Sequence, residues 1–214
     1  MDYHGGVDAR SLPFPDQSFH WVTSQFGIEY ADFEQALGEA ARVCRRGMKM
    51  LVHAAEGVVV RQNVMQADQA DWILNDLHLP DRLAEHFADP SLKSASEIDQ
   101  LLGAIRKRAE TDENVTLLES VHSAALASQK QWELMGLRSA REAIAELAAQ
   151  LACHRDRMRL LGGAGIERTR IEAAMADLRA RGFEEPRVDE ERFGTDNHLI
   201  GYWLEVSRTT KEGE

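Results

Sequence analysis

Residues 18–54, SFHWVTSQFGIEYADFEQALGEAARVCRRGMKMLVHA, set out a strand, a helix and a second strand in one passage. Phe19, Trp21 and Val22 stand in a short β-prone run that stops at Gly27, which predicts a buried parallel strand over 18–27. Asp32 stands three positions before Gln35, the spacing of a capping box. Phe33, Leu37, Ala40, Ala41 and Cys44 then form the apolar stripe of a helix expected to run to Gly47. Residues 48–54, MKMLVHA, predict the second strand. Such a unit has parallel strands and a right-handed crossover.

Downstream the pattern turns helical. Ser94 and Glu97 have capping-box spacing ahead of Ile98, Leu101, Leu102 and Ile105. Two further stripes follow at three- and four-residue steps, Val115, Leu118, Val121, Ala125 and Trp132, then Leu134, Leu137, Ile144, Leu147 and Leu151. Residues 161–165, LGGAG, follow the helical RMRLL and not a strand, so they read as a turn between helices and not as a phosphate loop. A last helix carries Ile171, Met175 and Leu178 and is closed by Gly182. GFEEPRVDEERF and HLIGYWLEVSRT, separated by GTDN, predict an antiparallel hairpin. The expected organisation is an α/β segment over 1–56, a helical insertion over 57–181, a sheet-completing hairpin over 182–207 and a tail over 208–214.

Composition narrows the function. Across 214 residues, 43% are hydrophobic, enough for a substantial core. With 36 acidic against 25 basic residues the net charge is −11, which opposes binding to polyphosphate, so nucleic acid is not an expected partner. Arg45, Arg46 and Lys49, and RDRMR over 155–159, lack interleaved aromatics and read as solvated helix ends. No apolar run approaches the roughly 20 residues that cross a bilayer, and the opening MDYHGGVDAR is unlike a signal peptide, so no membrane and a cytoplasmic setting are expected. Cys44 and Cys153 read as reduced, mostly buried thiols on helices. The histidines form no ligand pair, so no metal is expected.

Residues 8–30, DARSLPFPDQSFHWVTSQFGIEY, followed by ALGEAARVCRRGMKMLVHA over 36–54, resemble class I S-adenosylmethionine-dependent methyltransferases of the type 11-like group. In that family D-A-x-x-L-P-F-x-D-x-S-F-D-x-V leads into the fourth strand and R-V-L-R-P-G-G into the fifth. The likeness covers residues 7–54 and, more loosely, 182–207. It implies an α/β fold: a partial Rossmann-like methyltransferase sheet with a large helical insertion and a C-terminal antiparallel β hairpin. It also implies S-adenosylmethionine as cofactor, no metal, and a small-molecule methyl acceptor.

Site residues follow from the same resemblance. Asp8, with the Ala9 backbone, is expected beside the cofactor's adenine, and Ser24, Gln25 and Phe26 at the strand end border its methionine part. Phe26 is equally readable as a core aromatic. Glu29, Tyr30 and His53 lie on the same rim and are the catalytic candidates, with His53 the best placed for proton transfer and a structural role open to each. Arg61 and Asn63 read as a solvated first helical turn or as pocket residues.

Departures are visible. His20 stands where the family has Asp, and Arg46, Gly47 and Met48 stand where it has P-G-G. The glycine-rich turn and the ribose-binding acid have no counterpart, so cofactor affinity is expected to be low and the first strand to have an open edge. A homodimer or a partner chain is the expected cover, unless Met1 is an internal start within a longer enzyme. The alternative function is a non-catalytic remnant whose helices, from Ser94 to Leu151, form a protein-interaction module; an incomplete gene product without independent activity is a third reading.

Overall fold

A computed structural model describes residues 4–208. Residues 209–214 of the expected tail lie outside the described residues. The elements run β1 (Phe19–Gln25), α1 (Phe33–Val43), β2 (Cys44–His53), α2 (Val58–Asp71), a π-helical turn (Trp72–Asp76), α3 (Leu79–Ala88), α4 (Leu92–Ala109), α5 (Thr116–Met135), α6 (Leu137–Gly163), α7 (Arg168–Ala180), β3 (Glu184–Phe193) and β4 (His198–Ser207). The chain divides into two compact units, 1–61 with 161–214, and 62–160.

The first unit is a Rossmann-like α/β arrangement around a four-stranded sheet ordered β1-β2-β4-β3. β1 runs parallel to β2, whereas β4 is antiparallel to both β2 and β3, closing the expected hairpin. α1 starts because the Asp32 carboxylate accepts from the Gln35 N–H at 3.0 Å. It buries Phe33, Ala36, Leu37, Ala40 and Ala41. The helix does not reach Gly47. Cys44 turns extended (φ −83°, ψ 131°) and pairs with Phe19, so the sheet captures the chain three residues earlier than the apolar stripe suggests.

β1 corrects a second expectation. It is not buried: Phe19 and Trp21 are 39% and 51% exposed, and among the described residues β1 pairs only with β2. An apolar string shows that a residue prefers cover but not whether a neighbour supplies it. The Trp21 indole covers its strand partner Gly47, where an added Cβ would meet the ring at 2.6 Å.

The core of this unit joins α1, β2, α7 and β4 through Phe33, Met48, Met50, Ile171, Phe183 and Tyr202. Each such side chain taken from water contributes about 1.5–3 kcal/mol before entropy is counted. The helical stretch expected over 57–181 contributes to both units. α7 places Ile171, Ala174, Met175 and Leu178 in the sheet's core. Residues 62–160 form their own core around Ile73, Leu83, Phe87, Ile105, Leu118 and Ile144. The chain re-enters the first unit through a parallel bridge between Ala54 and Ile166, where the Ile166 N–H donates to the His53 carbonyl at 2.9 Å.

Local details differ from the sequence reading. The cap of α4 is Ser91, which exchanges hydrogen bonds with Ser94 as its N3 partner, so the helix starts one turn before the Ser94–Glu97 signal. Arg45, Arg46 and Lys49 lie on β2 and not at a helix end, because the strand begins at Cys44. Arg155 and Arg159 sit within α6 and both meet Asp71, at 3.7 and 2.9 Å. Cys44 is buried at a strand start, and Cys153, expected to be buried, is exposed on α6. No helix among the described residues is long and apolar enough to cross a membrane.

Candidate active site at the strand ends

The parallel pairing of β1 with β2 brings Gln25 opposite Leu51 and sets both strands' carboxyl ends side by side. Phe26 then adopts a left-handed conformation (φ 49°) while its N–H donates to the Leu51 carbonyl at 2.8 Å. A non-glycine residue held there costs about 1–3 kcal/mol, which the surrounding structure must offset. Ser24 Oγ accepts from the Ile28 N–H at 3.1 Å, starting the short 3₁₀ turn Ile28–Tyr30. That turn drives Glu29 inward.

Glu29 is 4% exposed, an unusual place for a carboxylate without a partner. Its Oε1 accepts from His53 Nδ1 at 2.8 Å and from the His53 backbone N–H at 3.3 Å. Its Oε2 is buried and has no hydrogen-bond partner among the described residues. Assigning the Nδ1 proton to this bond leaves the Nε2 lone pair of His53 as acceptor. Phe26 stacks on the imidazole with centroids 4.1 Å apart, and Tyr30 presents its ring edge-on at 6.3 Å. Burial first, and then the Glu29 charge, push the Tyr30 phenol above its ordinary range. Gly201 faces His53 across β2 and β4, and an added methyl there would overlap the Val52 carbonyl oxygen and come within 3.3 Å of the Phe26 ring. The arrangement is a carboxylate that orients an imidazole, backed by an aromatic plate.

The three catalytic candidates, Glu29, Tyr30 and His53, therefore come together with Phe26, and Ser24 builds the turn that positions them. Asp8 is engaged locally. Arg10 takes both of its oxygens, through Nη2 at 2.8 Å and Nε at 3.1 and 3.2 Å, holding the carboxyl down to about 2. Ala9 is half-buried against the sheet's core and Gln25 is exposed. Arg61 donates to the Glu56 carbonyl at 3.1 Å. Among the described residues no cluster of three or more His, Cys, Asp or Glu is placed to hold a metal ion.

Two features escaped the sequence reading. Arg42 of α1 straps the loop before β1: it donates to the carbonyls of Phe14 at 2.8 Å and Leu12 at 3.0 Å and to Asp16 at 2.8 Å. Glu39 holds the other side of that guanidinium and accepts from the Leu12 N–H at 2.9 Å. Arg42 and this N–H bring the Glu39 carboxyl down to about 2. The Glu39–Arg42 spacing on one helix face was the available signal. The second feature is Tyr202 on β4, whose hydroxyl donates to Glu56 while Arg168 lies over its ring at 5.6 Å.

Residues 5–52 match a family described as a methyltransferase domain. A stretch of 47 residues is 50% identical to demethylmenaquinone methyltransferase of Thermus thermophilus, covering 22% of this chain and 21% of that protein. The chain thus spans about a fifth of the length of the curated relative it matches. The matched segment contains Asp8, the whole of β1 and the turn that buries Glu29, and ends one residue before His53. Over residues 5–52 the chain is thus similar to methyltransferase domains.

Proposed function

We propose that the chain is part of an S-adenosylmethionine-dependent methyltransferase that transfers a methyl group to a small-molecule acceptor, with the cytoplasm as its setting. The observation that carries this reading is the 2.8 Å Glu29–His53 pair at the strand ends, with a buried Glu29 oxygen left over. Asp8, Ala9, Ser24, Gln25 and Phe26 are the residues that would hold the cofactor, which when bound supplies a methyl group activated by a sulfonium. The buried Glu29 oxygen without a donor suits a cationic or hydrogen-bond-donating ligand and is where the residues present fit this group, whereas the Asp8 oxygens are already held by Arg10.

In this reading Glu29 fixes the imidazole through Nδ1–H, and His53 Nε2 takes the proton from the acceptor's nucleophilic atom. Phe26 keeps the ring plane and excludes water from its face. Tyr30 borders the acceptor and, kept protonated, offers it a hydrogen bond. The remaining contribution is proximity and orientation.

Calorimetric titration of the full chain with S-adenosylmethionine into the millimolar range tests the reading. Saturable heat is expected, with binding weakened about tenfold, or about 1.4 kcal/mol, by Glu29→Gln. A titration without saturation rejects cofactor binding by this chain. The second reading, a non-catalytic helical interaction module, is favoured by Leu126, Leu134 and Met135, which are 47%, 75% and 70% exposed. A strictly monomeric chain that saturates with cofactor counts against it.

A further inference from the structure

The helical unit 62–160 holds a feature that the methyl-transfer reading does not use. A cleft of about 440 Å³ lies between α5 and α6, within the size range of small-molecule sites. Its walls follow helical spacing, Leu117 and Val121 from one helix and Leu147 and Leu151 from the other. α5 lines it with the small Ser120 and Ala124, where larger side chains would fill the space.

Polar chemistry gathers at one end, where His154 and Arg157 line the cleft. His154 Nε2 is 2.9 Å from Gln66 Oε1, and an Arg157 Nη lies 3.3 Å from His154 Nδ1. A guanidinium only donates, so Nδ1 carries the lone pair and Nε2–H donates to Gln66. Burial, and then the Arg157 charge, lower the His154 pKa from its ordinary value, in keeping with this neutral tautomer.

Arg157 is thus the cleft's charged lining residue. Its neighbours in sequence are paired, Arg155 with Asp71 and Asp156 and Arg159 with Asp71, whereas Arg157 has no carboxylate partner among the described residues. In a chain of net charge −11, a cation left without an anion beside an apolar cleft selects its ligand by charge. The bond to His154 leaves most of its five N–H donors free for a two-point grip on a carboxylate.

We propose that this cleft binds an amphipathic carboxylate, its hydrocarbon chain lying between α5 and α6 and its head group held by Arg157. The protein carries its own reporter. Cys153 lines the cleft and is exposed, while Cys44 is buried in the other unit and serves as the reference thiol.

The test follows alkylation of Cys153 in the full chain by iodoacetamide, read by mass spectrometry, with decanoate, decanol or decyltrimethylammonium added below micellar concentration. Decanoate is expected to slow modification at least tenfold, at a concentration tenfold lower than decanol requires, with no protection by the cation. Arg157→Gln should bring decanoate down to the level of decanol. Ser120→Leu, an exposed position that fills the cleft, should abolish protection without moving the melting temperature. Equal protection by all three compounds, protection by none, or a preference for decanoate that survives Arg157→Gln overturns the proposal.

Discussion

At one margin of the sheet β3 carries Arg187, Asp189, Glu190, Glu191 and Arg192, while at the other β1 carries Phe19 and Trp21 in the open. The charges of β3 are tied to one another, Arg192 to Glu190 at 2.8 Å and Arg187 to Asp189 at 3.5 Å. Exposed charge along an edge discourages a further strand from pairing there. β1 has no Asp, Glu, Lys or Arg in its seven residues, and Phe19 is held edge-on by Phe14 with centroids 4.9 Å apart. One edge is defended against partners and the other is not. This contrast supports the proposal that a second copy or a partner chain covers β1.

The difference is open to direct attack. Arg42→Ala should have the largest effect, because it removes the strap on the loop entering β1, takes the Arg42 donor from two carbonyls and leaves Glu39 only the Leu12 N–H. The unfolding midpoint should fall clearly in a denaturant titration, and an unchanged midpoint would show that the loop holds without it. Replacing Phe19 and Trp21 with Lys should weaken any self-association at least tenfold, about 1.4 kcal/mol, in sedimentation velocity. A chain that is monomeric both before and after sinks the homodimer.

Acid should act on the β1 side as well. The Glu39 carboxyl titrates at about 2 when folded against 4.5 in the free group, so the unfolded chain binds the proton first as pH falls. The stability it contributes is complete above pH 4.5 and disappears on the way down to about 2. With solvent screening allowed for, roughly 1 kcal/mol should be lost across that window, and Glu39→Gln should flatten the curve there. Glu190→Gln on β3 should have the smallest effect, under about 0.5 kcal/mol in the same titration, because exposed local pairs contribute little. A larger loss would mean that the charged edge is structural and not only a deterrent.

What the sequence revealed follows the same division. That Glu29, Tyr30 and His53 meet in space was legible because parallel strands end at a shared rim. The Asp32 cap of α1, the stripes and the hairpin were legible because they depend on neighbours within a few positions. Arg42's reach to Leu12 and Phe14 was not, since it exists only once α1 has folded back on the loop. The open edge of β1 was expected, but the exposure of the Phe19 and Trp21 side chains was not, because they look the same in a string whether or not a neighbour covers them. Ser94 read as a cap of α4 but serves as the N3 partner of Ser91, with which it exchanges hydrogen bonds.

The bridge between Ala54 and Ile166 has an architectural consequence. It clamps the base of the excursion that begins after β2, with the Ala55 N–H donating to Ile166 and the Ile166 N–H donating to His53, so both ends of the excursion are fixed where it leaves and returns. Closing a loop grows costlier only slowly with its length, by about 0.6 kcal/mol for each doubling. With its doorway fixed, the tract between them is free to lengthen, shorten or be exchanged over evolutionary time at small cost to the strands that carry Glu29 and His53.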